Sequence, residues 1–335
     1  MKKVFVTIPE GTVLDTFLPG DIRGYLQQHF DVTYNDTGRK MTKEELAAVT
    51  PNYDAFLTGW GTVGFDRENL PDNDRLKLIV HTGGTVGNLV NDDVYDKGIR
   101  VLSGNQLYAE SVAEGTIAYI LMGLRRIPDY VQLVKDGGWR STDSLWEGLS
   151  GRSVGIVGLG TISKILIRML QPFRVRIKMY SHHEIDPEFV GKYGVEPASL
   201  EEIFSECDVV TVHSALNKEN TGLITKEHFQ MLKDGCLFIN TSRGRVIDEQ
   251  ALILELEKDR FRAVLDVYWT EPLEQESKLR SLNNVYCIPH MAGPTLDLRK
   301  WITKALIDEM RAFFDGEDEL KLEITREYAK RMTGS

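Results

Sequence analysis

The chain has 335 residues, room for two domains of ordinary size, and its 42% hydrophobic and 27% charged content is that of a soluble globular protein. A net charge of −10 argues against nucleic acid or an anionic membrane surface as a partner. The three cysteines, Cys207, Cys236 and Cys287, are odd in number and form no CxxC pair, which argues against a disulfide framework or a zinc site and for a reducing, cytoplasmic setting.

The first residues, Met1-Lys2-Lys3-Val4-Phe5-Val6-Thr7-Ile8, imitate a signal peptide. Their apolar run stops at Pro9-Glu10, too short for the core of one, so residues 4–8 are expected to form the first strand. Further strands are expected at 32–34, 55–57, 76–80 and 100–102, with helices near 21–30, 43–49 and 92–97. This alternation points to α/β architecture with a doubly wound parallel sheet. A long helix is expected over 111–126, with Ala113, Ile117, Ile120, Leu121 and Leu124 on one side. No segment reaches the length of a membrane span.

A polar stretch, 136–151, leads to the most telling run of the chain, Val154-Gly155-Ile156-Val157-Gly158-Leu159-Gly160-Thr161-Ile162-Ser163. It reads as a buried strand that stops at Gly158 and turns into a helix through a glycine loop. Such a turn lets backbone N–H groups and a helix N-terminus meet a pyrophosphate. Gly158 suits the tight turn, and Gly160 lets phosphates approach the backbone. Ser163 stands where a third glycine is usual, a position that calls for a small residue. The helical pattern Ile165, Leu166, Ile167, Met169, Leu170 follows, and a strand at 175–180 completes a βαβ unit. Dinucleotide binding is the expectation.

Strands at 209–212, 236–240, 263–267 and 285–288 would place a second sheet in the middle of the chain. The last helical stretch, 296–314, carries no strand and cannot make a domain alone. It is expected to return to the first sheet, so that the chain crosses between domains near 103 and near 291. Two crossings make a hinge with a cleft. The run Asp315-Gly316-Glu317-Asp318-Glu319 reads as a solvated turn.

Four groups lie at or just beyond the expected carboxyl ends of strands, where open α/β sheets bind ligands. They are Asn240-Thr241-Ser242-Arg243-Gly244, Asp266, Glu271 and Pro289-His290. An arginine can hold a carboxylate with forked hydrogen bonds. A histidine can exchange a proton near neutral pH, and a carboxylate beside it orients the ring and favours its charged form. The set suits reduction of a 2-oxo acid by a nicotinamide cofactor. Arg243 would anchor the acid and polarise its C2 carbonyl, and His290 would protonate the new oxygen. Each residue alone has a plainer reading: a strand-end salt bridge for Arg243, a surface turn for Glu271, a loop histidine for His290, a cap for Asp266. Their joint placement after a dinucleotide loop favours the chemical one.

These residues resemble the D-isomer-specific 2-hydroxyacid dehydrogenases. The resemblance runs from 74 to 311 and includes Ser111-Val112-Ala113-Glu114, Leu149-Ser150-Gly151-Arg152, the glycine loop, Asn240-Thr241-Ser242-Arg243-Gly244, Leu265-Asp266-Val267, Glu271-Pro272 and Pro289-His290-Met291-Ala292-Gly293. It implies two doubly wound parallel-sheet domains: a flavodoxin-like substrate domain, 1–103 with 292–335, split around an inserted Rossmann-type dinucleotide-binding domain, 104–291. It also implies a homodimer through the dinucleotide-binding domain and a small 2-oxo or 2-hydroxy acid as substrate. Arg243 looks like the substrate-binding arginine, Glu271 like the histidine partner and His290 like the acid/base. Gly158, Gly160, Thr161 and Ile162 lie where the family holds the pyrophosphate. Asp266 resembles a residue that contacts the nicotinamide carboxamide, and Thr241 and Gly293 fall in the same cofactor-binding motifs. Gly84, Thr85 and Val86 resemble the loop whose backbone receives the substrate carboxylate.

The chain departs from the family at Ser163, Thr85, Gly87 and Tyr108. The family's NAD-binding members often end the second strand of the cofactor domain in Asp. Here Ser181 stands there, followed by His182 and His183. Loss of the carboxylate removes repulsion against a 2′-phosphate, Ser181 could hydrogen-bond to it, and His182 could add charge, yet no Arg stands nearby in sequence, so the expected cofactor is NAD or NADP with neither preferred. No metal site is expected, because adjacent histidines seldom converge on one ion. A formate dehydrogenase-like enzyme is a rival within the fold, which Glu271 in place of Gln disfavours. A dinucleotide-sensing regulatory protein without turnover is a rival of another class.

Overall fold

The computed structural model describes residues 1–332, so 333–335 of the expected 292–335 segment lie outside the described residues. The described chain divides into two units, Met1–Tyr108 with the residues from Pro294 onward, and Ala109–Gly293.

The first unit opens with β1 (Lys3–Val6), α1 (Thr12–Phe17), α2 (Gly20–His29), β2 (Asp31–Tyr34), α3 (Lys43–Val49), β3 (Ala55–Thr58), β4 (Leu78–His81), α4 (Asp92–Asp96) and β5 (Arg100–Ser103). Helix α5 (Asn105–Arg125) follows, and its residues from Ala109 onward belong to the second unit. That unit continues with α6 (Ile127–Lys135), β6 (Ser153–Val157), α7 (Thr161–Leu170), β7 (Arg176–Tyr180), α8 (Pro187–Tyr193), β8 (Val195–Pro197), α9 (Leu200–Glu206) and β9 (Val209–Val212). It closes with α10 (Lys226–Met231), β10 (Leu237–Asn240), α11 (Glu249–Leu256), β11 (Arg262–Leu265) and β12 (Val285–Cys287). The chain ends in the first unit with α12 (Leu296–Asp315) and α13 (Arg326–Arg331).

Both sheets are wholly parallel. The first has the order β2-β1-β3-β4-β5, the flavodoxin-like arrangement. The second has the order β12-β11-β10-β9-β6-β7-β8, a Rossmann sheet extended by one strand. Helices cover both faces of each, which is why the central strands read as continuous apolar runs. All residues of β3, β4, β6, β9 and β10 are buried, whereas the edge strand β2 alternates exposed and half-buried.

Helix α12 packs into the first unit: Ile302, Leu306, Ile307 and Met310 lie in one core with Val4, Val6, Leu57, Val80 and Leu102. The expected crossings near 103 and 291 fall instead after Tyr108 and Gly293. Hydrogen bonds within each unit lie at these points. Tyr108 donates its hydroxyl to the Thr82 carbonyl at 2.8 Å, tying the first turn of α5 to the first unit. Ser111 donates to the Gly293 carbonyl at 3.1 Å, tying Gly293 to the second. The acidic run from Asp315 to Glu319 is exposed. Among the described residues no helix is long and apolar enough to cross a membrane.

Candidate active site

The glycine turn lies at the carboxyl end of β6, the strand where the order of the second sheet reverses. Gly158 has φ 101°, and a Cβ there would stand 2.7 Å from the backbone N and the hydroxyl of Ser214, so only glycine fits. Gly160 caps α7 without a side-chain hydrogen bond, and a Cβ built on it meets nothing within 4 Å. Gly160 and Thr161 are exposed and Ile162 is half-buried. This leaves open space before the N–H groups of a ten-residue helix, a cradle that fits a pyrophosphate. Ser163 fits the glycine position because it is fully buried and its hydroxyl donates to the Gly158 carbonyl at 2.5 Å.

Beside this turn lies His213, which sequence reasoning missed. It follows β9, bonds through Nε2 to Thr211 Oγ1 at 2.9 Å, and keeps a buried Nδ1 with no partner among the described residues. Burial pushes its pKa down to about 4, so the ring is neutral.

At the end of β7, Ser181 Oγ accepts the His183 N–H at 3.1 Å. His182 is tied down. Its Nε2 meets Asn220 Oδ1 at 2.7 Å, and its Nδ1 meets the Tyr180 hydroxyl at 3.3 Å. Asn220 Nδ2 donates to the Ala215 carbonyl, which leaves Oδ1 to accept from His182 Nε2–H. Both ring nitrogens are thus engaged within the protein.

Arg243, Asp266, Glu271 and His290 come together at the carboxyl ends of β10, β11 and β12. Asn240 shapes the first loop: its Oδ1 accepts from the Ser242 N–H and hydroxyl at 3.0 and 2.8 Å, and its Nδ2 donates to the Arg243 carbonyl. Thr241 meets Thr116 through their hydroxyls at 3.3 Å. Gly244 lets the loop press on the next one, since a Cβ there would stand 2.0 Å from the Tyr268 carbonyl carbon and oxygen. Arg243 Nη1 donates to the Ser242 carbonyl at 2.7 Å, whereas its Nε is buried without a partner among the described residues. Burial lowers the Arg243 pKa and the Glu271 charge opposes this. An arginine is still always charged, so a buried donor awaits an acceptor.

His290 Nδ1 lies 2.6 Å from Glu271 Oε2. That hydrogen bond raises the His290 pKa above its ordinary value, against burial. Burial also pushes Glu271 upward, but the bonds from His290 and from the Tyr268 N–H, with the charges of His290 and Arg243, outweigh it and hold the carboxyl below its ordinary value. Both shifts have the sign of a charged pair, each partner favouring the ionised form of the other. The His290 side chain is 44% exposed, which leaves Nε2 free to meet a substrate.

His290 has φ 51°, a left-handed backbone that the next residues must hold in place. Asp266 does so. It is 1% exposed and accepts the Met291 N–H at 2.7 Å, the Ala292 N–H at 3.0 Å and the Tyr119 hydroxyl at 3.1 Å. Tyr119 carried no signal in the sequence. Among the described residues no three His, Cys, Asp or Glu side chains converge on a metal position.

In the first unit, the loop after β4 carries Gly84, Thr85 and Val86. Ser103 Oγ donates to the Gly83 and Gly84 carbonyls at 3.0 and 2.6 Å, and the Gly87 N–H reaches Thr85 Oγ1 at 3.3 Å. Gly84 and Thr85 are half-buried, whereas Val86 is fully buried, main chain included.

Residues 117–292 match the model of the D-isomer specific 2-hydroxyacid dehydrogenase, NAD binding domain. The chain is 32% identical over 254 residues to a glyoxylate reductase/hydroxypyruvate reductase of Mus musculus, covering 74% of this chain and 77% of that one. It is 27% identical over 325 residues to a glyoxylate reductase of Pyrococcus furiosus, covering 94% and 93%. The apo-structure of D-lactate dehydrogenase from Escherichia coli superposes with a TM-score of 0.74 at 25% identity, covering 97% of this chain and 100% of that one. With its glycine cradle for NAD or NADP, the chain belongs to the D-isomer specific 2-hydroxyacid dehydrogenase family of oxidoreductases.

Proposed function

We propose that the protein reduces a 2-oxo acid to the D-2-hydroxy acid, and catalyses the reverse oxidation, with Arg243, Glu271 and His290 as its catalytic residues. The 2.6 Å bond between His290 Nδ1 and Glu271 Oε2 carries this reading. It is the arrangement a proton donor needs: one ring nitrogen held by a carboxylate, the other open. The Arg243 guanidinium binds the substrate carboxylate and draws charge toward the C2 carbonyl oxygen. His290 Nε2–H donates its proton to that oxygen as C2 is reduced, and Glu271 steadies the imidazolium beforehand. In the oxidative direction neutral His290 accepts the proton back. The dinucleotide, when bound, supplies or accepts the hydride at C2.

Gly158, Gly160, Thr161 and Ile162 hold the pyrophosphate in this reading, and Ser181 contacts the adenosine ribose, whether it carries a hydroxyl or a phosphate. His182, held by Asn220 and Tyr180, follows it as the second residue at the ribose. Thr241, Asp266 and Gly293 bound the nicotinamide end. The backbone at Gly84, Thr85 and Val86 is the carboxylate-binding element of the first unit.

A homodimer through the second unit is supported by α6. None of its residues is buried, and Ile127, Val131 and Val134 are exposed, as are Trp139, Leu145 and Trp146 beyond it. Such a patch marks an interface. Sedimentation that returns only monomer at micromolar concentration would contradict it. A cytoplasmic location is proposed from the three free cysteines.

Initial-rate oxidation of NADH and NADPH against 2-oxo acids from glyoxylate to aromatic ones tests the reaction. Turnover is expected with at least one acid. Dinucleotide binding, seen by thermal shift, without turnover of any acid would favour a sensor of the same fold.

A further inference from the structure

Tyr268 takes no part in the proposed chemistry, yet it is joined to the segment of each residue that does. It lies within the second unit, between Asp266 and Glu271. Its backbone N–H donates to Glu271 Oε1 at 3.1 Å, the carboxylate oxygen left over when His290 Nδ1 meets Oε2. Its carbonyl is what Gly244 presses on, one residue after Arg243. Its side chain is buried in one core with Phe261, Leu265 and Val285. There the hydroxyl stands between two carbonyls, that of Leu265 at 2.8 Å and that of Ile288 at 2.9 Å.

These two carbonyls mark the point where the sheet ends. Strands β11 and β12 pair as far as Leu265 and Cys287, and the Ile288 N–H makes a last rung to the Leu265 carbonyl at 2.8 Å. Beyond that rung the chain turns. The His290 N–H donates back to the Ile288 carbonyl at 3.0 Å, and His290 takes its left-handed backbone. A phenol has one hydrogen and donates to one carbonyl at a time, so Tyr268 alternately reinforces the last rung and the carbonyl on which the His290 turn is built. Burial pushes its pKa above the ordinary value, which keeps it a donor. Asp266 holds the same turn after His290, through the Met291 and Ala292 N–H groups, and Tyr268 holds it before. The charged groups acting on His290 are Glu271, Asp266 and Arg243, and the Cys287 thiol beside the phenol is pushed up by burial and stays neutral.

We propose that Tyr268 is a positioning residue: its hydroxyl holds the turn of His290 to the loop of Glu271, and so fixes the contact between His290 Nδ1 and Glu271 Oε2. The inference rests on the reading of His290 as acid/base and Glu271 as its partner. The path is short. Glu271 lies three residues beyond Tyr268 and is bonded to its N–H, and His290 lies two residues beyond Ile288. The phenol therefore ties the two loops at their roots. A catalytic pair works only while its geometry is held to within about half an ångström, and a tie at the root of both loops does that.

The test is Tyr268→Phe, which deletes one oxygen and keeps the ring in the core. It is compared with Phe261→Leu, a core change at the opposite, amino end of β11. In Tyr268→Phe, kcat for reduction should fall about two- to tenfold, the worth of one neutral hydrogen bond, with dinucleotide affinity unchanged. The alkaline limb of kcat/KM should move down by about half a pH unit or more, because a loosened Glu271 favours the imidazolium less. Phe261→Leu should lower the melting temperature and leave that limb in place. A limb unmoved in Tyr268→Phe, or moved equally in Phe261→Leu, would overturn the proposal. A second readout needs no turnover. Proton NMR titration of the His290 ring, assigned by its loss in His290→Ala, should give a lower pKa in Tyr268→Phe than in wild type. A lowered ring pKa in a protein that reduces no 2-oxo acid would retain the role of Tyr268 and sink the reductase reading; reduction with the same ring pKa in both would do the reverse.

Discussion

Asp266 accepts the backbone N–H of Met291 at 2.7 Å, one residue beyond His290. With the Ala292 N–H and the Tyr119 hydroxyl, this makes the carboxylate a clamp on the turn that carries His290. Asp266→Asn would set an amide N–H₂ against one of these donors. The expected result is a loss of about 1–3 kcal/mol of stability, read by denaturant unfolding, with a lower kcat because His290 is no longer held in its left-handed conformation. Wild-type stability and kcat in this variant would show that the clamp is idle.

The ion pair sets the pH profile. His290 has a raised pKa because Glu271 favours its protonated form. Reduction needs the proton on His290, so kcat/KM should fall as pH rises through that pKa. Oxidation needs it gone and should rise over the same range. Glu271→Gln removes the charge and lets the His290 pKa drop, so both limbs should move to lower pH. Profiles of wild type and variant that superimpose would mean that another group titrates.

Gly244 admits no side chain, since a Cβ there would stand 2.0 Å from the Tyr268 carbonyl. Gly244→Ala must push the Arg243 loop from the Tyr268–Glu271 loop. A destabilisation of about 1–3 kcal/mol or more is expected, together with a raised KM for the acid. An unaltered KM would mean that Arg243 is placed independently of this contact.

In the proposed reading Ser181 faces the adenosine ribose, where a carboxylate would repel a 2′-phosphate. Ser181→Asp should lower the ratio of kcat/KM with NADPH to that with NADH by about tenfold or more, through like-charge repulsion. An unchanged ratio would show that Ser181 does not reach the ribose.

The parallel sheets, the glycine turn and the carboxyl-end clustering of Arg243, Asp266, Glu271 and His290 were legible in the sequence. A buried strand followed by glycine and then a helix period is a local pattern, and motif order carries the strand ends with it. What stayed hidden depends on contacts between distant residues. Tyr119 and Asp266 are separated by 147 positions, and His182 and Asn220 by 38. No periodicity announces that a tyrosine on a helix reaches a strand end, or that a histidine expected to lend charge to a phosphate is bonded at both nitrogens. Nor does the sequence show that Tyr108 bonds back to Thr82, or that Ser111 bonds to Gly293, at the two points where the units divide.

The most direct measurement compares His290→Ala with wild type in oxidation of the preferred nicotinamide dinucleotide by a 2-oxo acid, alongside dinucleotide affinity by fluorescence. Loss of the proton donor should lower kcat by about 10²–10⁴-fold and leave dinucleotide affinity nearly unchanged, because the glycine cradle stands apart from the ring. Wild-type turnover in the variant would contradict the assignment of His290 as the acid/base.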